Sequence, residues 1–143
     1  MILLDAYALL AFLLDERAAD DVEPLLRGSS RVAMPSVNLF EVVDYLIRRK
    51  DWSEEEVQRE LSLMLDDVVR LLDVGAVIAW RGASLRAAYY AKGTCELSLA
   101  DCMLLASAAP GDKIATADPS IASVARAEGI ELVPLPDSLG RRP

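Results

Sequence analysis

Histidine is absent from the 143-residue sequence. This absence excludes mechanisms that depend on an imidazole base and zinc sites with a histidine ligand. The two cysteines, Cys95 and Cys102, are too few for a disulfide framework, and their spacing is not that of a metal site. We therefore expect a reduced protein in the cytoplasm.

Long apolar runs and glycine-rich phosphate loops are also missing. No uninterrupted apolar run reaches the roughly 18 residues that a membrane span needs. No basic segment precedes the apolar start, so we expect no signal peptide. Neither common glycine-rich phosphate-binding motif occurs. The length predicts a single domain over residues 1–137 with a loose tail at 138–143.

Acidic residues outnumber basic ones, 23 to 15, which gives a net charge of −8. This charge argues against a nucleic-acid-binding protein that uses a broad basic surface. It leaves open a nucleic-acid enzyme whose acidic centre is neutralised by divalent cations.

Short apolar runs alternate with helical patterns along the whole chain. The predicted strands are residues 1–4, 31–34, 76–80, 113–116 and 130–133. The predicted helices are residues 6–14, 18–26, 37–50, 53–72, 84–92, 98–109 and 118–129. This alternation predicts an α/β fold with a central parallel sheet of about five strands.

Four acidic residues follow predicted strands or begin predicted helices: Asp5, Glu41, Asp101 and Asp118. Singly, Asp118 is explained as a helix N-cap, Asp101 as part of a capping box with Ser98, and Glu41 as a solvated helix residue. Asp5 is harder to explain in this way because it directly follows a buried strand. Four carboxylates at one sheet edge would repel one another unless cations bind, and oxygen ligands suit Mg²⁺ or Mn²⁺.

The order of these acids resembles that of the PIN-domain ribonucleases, in particular the VapC-like toxins of VapBC-type toxin–antitoxin pairs. The resemblance spans nearly the whole chain and rests on an ordered set of segments. They are Ile2-Leu3-Leu4-Asp5, Pro35-Ser36-Val37-Asn38-Leu39-Phe40-Glu41-Val42, Leu97-Ser98-Leu99-Ala100-Asp101-Cys102 and Thr116-Ala117-Asp118.

The resemblance implies a three-layer α/β/α sandwich and a Mg²⁺-dependent endoribonuclease. It implies that Asp5 and Asp101 are the principal metal ligands. Glu41 and Asp118 would be further ligands or would orient a water molecule, and Thr116 would assist as a hydrogen-bonding residue. The expected partners are an RNA substrate, a small antitoxin protein and a second copy of the chain, without a membrane.

One position departs from the family pattern. The family usually has serine or threonine directly after the first aspartate, and this sequence has Ala6 there. The alternative function is therefore a PIN-fold protein that binds RNA or an antitoxin but cleaves weakly or not at all.

Two further predictions concern surfaces around the acids. Basic residues near the predicted centre are candidates for contact with substrate phosphates, although a solvated helix end is the better explanation for any particular one. They are Arg48, Arg49, Lys50, Arg81, Arg86 and Lys92. A groove between the helices at 37–50 and 53–72 is predicted to receive an apolar helix of the antitoxin.

Overall fold

The computed structural model describes residues 1–65 and 67–143 and is built on a five-stranded sheet. All strands are parallel, in the order β3-β2-β1-β4-β5. They are β1 (Ile2–Leu4), β2 (Val32–Pro35), β3 (Val69–Leu72), β4 (Lys113–Thr116) and β5 (Glu131–Pro134). The predicted parallel α/β sheet is confirmed.

Helices connect the strands and cover the sheet. In the described residues they are α1 (Ala6–Leu13), α2 (Ala19–Arg27), α3 (Ser36–Lys50), α4 (Glu54–Ser62), α5 (Ala76–Tyr89), α6 (Leu99–Ser107) and α7 (Pro119–Ala127). None of them combines the length and the apolar character that crossing a bilayer requires.

Alternation along the strands divides the core between two faces. In β1, Ile2 and Leu4 join the cluster formed with α1, α2, α3 and α4. Leu3 joins the cluster formed with α5, α6 and α7. Because successive strand side chains point to opposite faces, β1 and β2 are apolar throughout and buried on both sides. This arrangement confirms the three-layer α/β/α sandwich.

The strand order places a crevice at the middle of the sheet. The chain passes from β1 outward to β2 and β3, and later returns to form β4 and β5 on the other side of β1. The carboxyl ends of β1 and β4 therefore flank the point at which the direction of winding reverses. Open α/β sheets bind their ligands at this point.

Two predicted elements are wrong. The helix predicted at 53–72 ends at Ser62, and residues 69–72 form strand β3 instead. Apolar spacing typical of a helix continues past Ser62, but Val69 is fully buried and pairs with Val32 of β2. Pairing with the sheet therefore outweighs the local helical pattern.

The strand predicted at 76–80 is the first part of α5. Gly75 precedes it in extended backbone as the N-cap. The side chains of Val77 and Trp80 are 83% and 78% exposed. A strand inside the sheet would bury these side chains, so apolar composition alone misled the prediction.

The two ends of the chain contact the domain. The amino group of Met1 lies 2.6 Å from Oδ1 of Asp112. Arg142 donates hydrogen bonds to the carbonyl oxygen of Pro134 and to the carboxylate of Asp21. The looseness predicted for the tail at 138–143 stays a prediction.

Candidate active site

The four acids predicted from the sequence all line one cleft of about 610 Å³ at the carboxyl edge of the sheet. Asp5 directly follows β1, and Asp118 follows β4 with one residue between them. Glu41 lies in the second turn of α3. Asp101 lies in the first turn of α6. We call these four residues the inner acids. The structure thus brings them together, while their chemical roles stay a prediction.

Asp5 and Thr116 form the buried floor of the cleft. The Thr116 hydroxyl donates a hydrogen bond of 2.8 Å to Oδ2 of Asp5. The same hydroxyl accepts the backbone N–H of Asp118 at 3.0 Å. Thr116 is fully buried and Asp5 is 6% exposed. One hydroxyl therefore fixes both the Asp5 carboxylate and the chain leading to Asp118.

Burial and mutual repulsion shift the protonation of the inner acids. Burial, opposed by the Thr116 hydrogen bond and reinforced by the Asp101 charge, raises the pKa of Asp5 to about 7. Burial and the charges of Asp101 and Asp5 raise the pKa of half-buried Glu41 to about 7. Burial raises the pKa of Asp101, against hydrogen bonds from Ser98 that lower it. These carboxylates are close enough to oppose one another's ionisation.

Asp101 and Asp118 also cap helices. Ser98 and Asp101 form a capping box, in which the Ser98 N–H donates to Oδ2 of Asp101 at 2.6 Å. Oδ1 of Asp118 accepts the N–H groups of Ser120 and Ile121 at 2.6 and 3.1 Å. In each case the other carboxylate oxygen accepts no hydrogen bond from the described residues. Capping therefore orients these groups and leaves one oxygen available to a ligand.

Sequence reasoning missed two further acids that line the cleft, Asp44 and Asp137. We call them the rim acids. Asp44 lies one turn after Glu41 in α3, and that spacing is a signal that could have identified it. Asp137 follows β5, where nothing in the sequence indicates the cleft. Tyr7 donates its hydroxyl to the carbonyl oxygen of Pro136 at 2.8 Å and so fixes the neighbouring backbone.

Each rim acid holds an arginine, whereas no described residue that lines the cleft is basic. Arg48 pairs with Asp44 at 2.5 Å, and Arg141 pairs with Asp137 at 2.7 Å. The hydrogen bond from Arg48 lowers the pKa of Asp44, and that from Arg141 lowers the pKa of Asp137.

The other basic candidates lie away from the cleft lining, and two are occupied by structural contacts. Arg81 donates to the carbonyl oxygens of Ala106 and Ala108 at the end of α6. Arg86 donates to the carbonyl oxygen of Leu97 and lies 4.5 Å from the centroid of the Tyr90 ring. Lys50 lies 4.0 Å from Glu16. Arg81 and Arg86 thus have structural roles, although the Arg86 charge also lowers the pKa of Asp101.

The donor set of the cleft consists of carboxylate oxygens, which Mg²⁺ and Mn²⁺ prefer. Within residues 1–65 and 67–143, no three acidic or cysteine side chains lie close enough together to hold an ion as they stand. The chemistry of the inner acids fits a hard divalent cation. Their side chains are grouped in one cleft without being gathered around a common centre.

Comparison with known proteins agrees with this architecture. The family model described as the PIN domain matches residues 2–127. No curated protein matches the chain in sequence.

Several solved structures are similar to this chain in fold. DNA-bound VapBC from Salmonella typhimurium is 19% identical, with a TM-score of 0.66 over 92% of this chain and 96% of that one. FitAcB from Neisseria gonorrhoeae is 21% identical, with a TM-score of 0.64 over 92% and 96%. VapC20 from Mycobacterium tuberculosis, described as a sarcin-ricin loop cleaving toxin, is 18% identical, with a TM-score of 0.59 over 91% and 85%.

Proposed function

Because the chain belongs to the PIN domain family, we propose that it is an endoribonuclease that uses Mg²⁺ or Mn²⁺ and is the toxin of a toxin–antitoxin pair. The observation that carries the proposal is the set of four inner acids in one cleft that no basic residue lines among the described residues. PIN-domain proteins are generally nucleases that use divalent metal ions, which supports the proposal.

In this proposal the inner acids hold the metal and position the attacking water. Asp5 and Asp101 are the principal ligands, and Glu41 and Asp118 are further ligands or orient the water. A bound divalent ion lowers the pKa of water and stabilises charge that develops on the scissile phosphate. Thr116 fixes the Asp5 carboxylate through its hydroxyl. Glu41 lines the same cleft as Asp5 and Asp101, and this position suits it to hold the metal or to accept a proton from water.

Thr116 also bears on the alternative of weak or absent cleavage. The family usually places a hydroxyl next to the first aspartate in sequence, and here Ala6 occupies that position. The Thr116 hydroxyl contacts Asp5 from the neighbouring strand β4. The loss of the adjacent hydroxyl therefore does not leave Asp5 without a hydroxyl partner.

The direct test is cleavage of labelled cellular RNA by the purified protein without antitoxin. We expect cleavage with Mg²⁺ or Mn²⁺, no cleavage in EDTA, and loss of cleavage in Asp5→Asn and Asp101→Asn. Asp20→Asn, at an exposed position in α2, is the matched control and should cleave normally. Cleavage that continues in EDTA would overturn the metal mechanism, and RNA binding without cleavage would favour the alternative function.

For the antitoxin we propose a groove of about 400 Å³ between α3 and α4. Its apolar lining consists of Val43, Ile47, Val57, Leu61 and Leu65. Similar structures come from toxin–antitoxin complexes, and an apolar helix seated in a groove is a common mode of recognition. Basic residues of the antitoxin would reach the acidic cleft. A gene for a small protein immediately upstream of the toxin gene would support this assignment.

Co-expression with that small protein tests the groove. We expect wild-type toxin to be neutralised, and Ile47→Arg to escape neutralisation because it places a charge in the apolar groove. Ala127→Arg, at an exposed position of α7 in the other helical layer, is the control and should be neutralised. Equal neutralisation of all three proteins would place the antitoxin elsewhere.

We also propose that the protein is a homodimer in the cytoplasm. The support is the exposed apolar surface of Val77, Trp80 and Leu99, which are 83%, 78% and 65% exposed. Sedimentation analysis of wild type and Trp80→Asp tests the dimer. A monomeric wild-type protein would contradict it.

A further inference from the structure

A nuclease cleft must admit a chain of phosphates, yet the cleft lining is acidic and no described residue in it is basic. The cations bonded directly to that lining are Arg48 and Arg141. We propose that the pairs Asp44–Arg48 and Asp137–Arg141 form a phosphate clamp that holds the RNA backbone at the two ends of the cleft. The inference rests on the proposed ribonuclease function and adds two substrate-positioning residues to it.

Both guanidinium groups are fixed by a fork of hydrogen bonds or close ionic contacts. Nε and Nη2 of Arg48 donate to the two carboxylate oxygens of Asp44 at 2.5 and 2.6 Å. Nε of Arg141 donates to Oδ2 of Asp137 at 2.8 Å, and Nη2 lies 2.7 Å from the same carboxylate oxygen. Oδ1 of Asp137 accepts the N–H groups of Leu139 and Arg141, both at 2.8 Å. The guanidinium groups are thus held in place before any substrate arrives.

The outer edges of the two guanidinium groups remain open. The Arg48 and Arg141 side chains are 64% and 74% exposed. Neither guanidinium donates a hydrogen bond to any other described residue. A guanidinium has five N–H donors in a planar fork that matches a phosphate group. Each arginine can therefore bind a phosphate without leaving its rim acid.

The two pairs belong to elements that follow strands on either side of β1 and β4. Asp44 belongs to α3, which follows β2, and Asp137 follows β5. Strands β1 and β4 lie between β2 and β5. Three strand spacings of about 4.8 Å, or about 14 Å in all, separate β2 from β5. The inner acids Asp5 and Asp118 lie in this interval, so a backbone held at both ends would cross them.

Charge balance favours the same arrangement. Each inner acid repels a phosphate until a cation neutralises it, whereas each rim pair is already neutral. Of the other arginines considered for this task, Arg81 and Arg86 donate to carbonyl groups of the domain. Arg49 is not among the described residues that line the cleft. The two rim pairs are therefore where a phosphate meets an available donor with the least repulsion.

The test is binding of a fluorescein-labelled, mixed-sequence single-stranded RNA in Mg²⁺, measured by anisotropy at several salt concentrations. We expect Arg48→Ala and Arg141→Ala each to weaken binding by about three- to tenfold. Each should also reduce the slope of log Kd against log salt concentration by about 0.7, as expected for the loss of one phosphate contact. In cleavage assays KM should rise while kcat changes little.

Arg27→Ala is the matched control. Arg27 pairs with Glu23 at the same four-residue spacing, is 78% exposed and lies on α2, and neither residue lines the cleft. It should bind RNA with the wild-type affinity and salt slope. Circular dichroism should show that all three variants are folded.

The outcomes separate the clamp from the nuclease. Wild-type binding and salt slope in Arg48→Ala and Arg141→Ala would overturn the clamp, and Mg²⁺-dependent cleavage by wild type would still support the nuclease. If Arg27→Ala loses as much RNA-binding affinity as Arg48→Ala and Arg141→Ala, the clamp is also overturned. RNA bound but never cleaved by wild type would overturn the nuclease, and the variants would still decide the clamp.

Discussion

The inner acids and the rim acids line the same cleft but face different partners. Burial and neighbouring carboxylates raise the pKa values of Asp5, Glu41 and Asp101. Arginine hydrogen bonds lower the pKa values of Asp44 and Asp137. Arginine thus stabilises the ionised form of each rim acid. Ionisation of these inner acids, by contrast, lowers the free energy of unfolding. Groups kept under such strain point to a ligand that relieves it.

The sharpest test of this contrast is Asp5→Asn. The raised pKa of Asp5, about 7 against 3.8, corresponds to on the order of 4 kcal/mol at pH 8. Asparagine keeps an oxygen that can accept the Thr116 hydroxyl. In EDTA at pH 8 we therefore expect Asp5→Asn to be more stable than wild type, by up to about 4 kcal/mol. Urea unfolding measures the difference.

The same substitution should remove the stabilisation that added Mg²⁺ gives to the wild-type protein. Asp20→Asn controls for loss of one negative charge at an exposed site and should behave as wild type in both conditions. An Asp5→Asn protein that is less stable than wild type in EDTA would show that Asp5 is not under strain.

Dependence on pH should follow from the two groups with pKa values of about 7. Between pH 4 and 7 the carboxyl groups of Asp5 and Glu41 ionise in the unfolded chain but stay protonated in the fold. The unfolded chain then binds fewer protons, so these groups make the free energy of unfolding fall as pH rises, and their effect levels off above about 7.

Urea unfolding in EDTA across this pH range measures the effect. The difference in free energy between Asp5→Asn/Glu41→Gln and wild type isolates it from other titrating groups. We expect the double variant to gain stability relative to wild type as pH rises from 4 to 7. If the free energies of unfolding of the two proteins change with pH in parallel, the raised pKa values of Asp5 and Glu41 are contradicted.

A smaller effect is expected for Asp101→Asn, where two influences compete. Burial raises the pKa of Asp101, and the hydrogen bonds of the capping box lower it, with a net rise. Asparagine can still accept the Ser98 N–H. We expect a modest rise in the melting temperature in EDTA and loss of the stabilisation by Mg²⁺.

If Asp101 only caps α6, Asp101→Asn should lower the melting temperature in EDTA. Loss of a charge from the first turn of α6 would then cost a few tenths to about 1 kcal/mol. A lower melting temperature with unchanged stabilisation by Mg²⁺ would remove Asp101 from the metal site. Thermal melts with and without Mg²⁺ distinguish the two cases.

The smallest change is expected at the rim acids. Asp44→Asn and Asp137→Asn each break an exposed ion pair, so the melting temperature should fall slightly and stabilisation by Mg²⁺ should persist. Glu23→Gln, which breaks the pair with Arg27 away from the cleft, is the matched control. If a rim substitution raises stability in EDTA, the rim acids destabilise the metal-free fold as the inner acids do, and the proposed difference between the two sets is wrong.

Local patterns were sufficient to predict most of the fold. The apolar strand before Asp5, the capping box of Ser98 and Asp101, and the helix N-cap at Asp118 all appear in the structure as predicted. Strand β3 and the start of α5 could not be predicted in this way. A short apolar run suits a helix or a strand equally, and pairing of Val69 with Val32 in β2 decides between them.

The candidate site was predictable only in part for a similar reason. Asp5, Asp101 and Asp118 follow a strand or lie at the start of a helix, and Glu41 lies one turn into α3, so their meeting follows from parallel topology. The Asp44–Arg48 pair is visible as a four-residue helical spacing, but the same spacing occurs at Glu23 and Arg27 away from the cleft. Asp137 reaches the cleft only because β5 lies beside β4, and no local pattern specifies that placement.

The hydrogen bond between Thr116 and Asp5 has a consequence for the order in which the cleft is completed during synthesis. Its two residues are separated by 111 positions in the chain. While the chain grows, Asp5 and Glu41 are made long before β4 supplies Thr116 and Asp118, and the cleft wall at Asp137 is made later still. An unfinished chain that stops before β4 therefore lacks the strand that positions its acids. The cleft can assemble only after β4 and β5 have both been made.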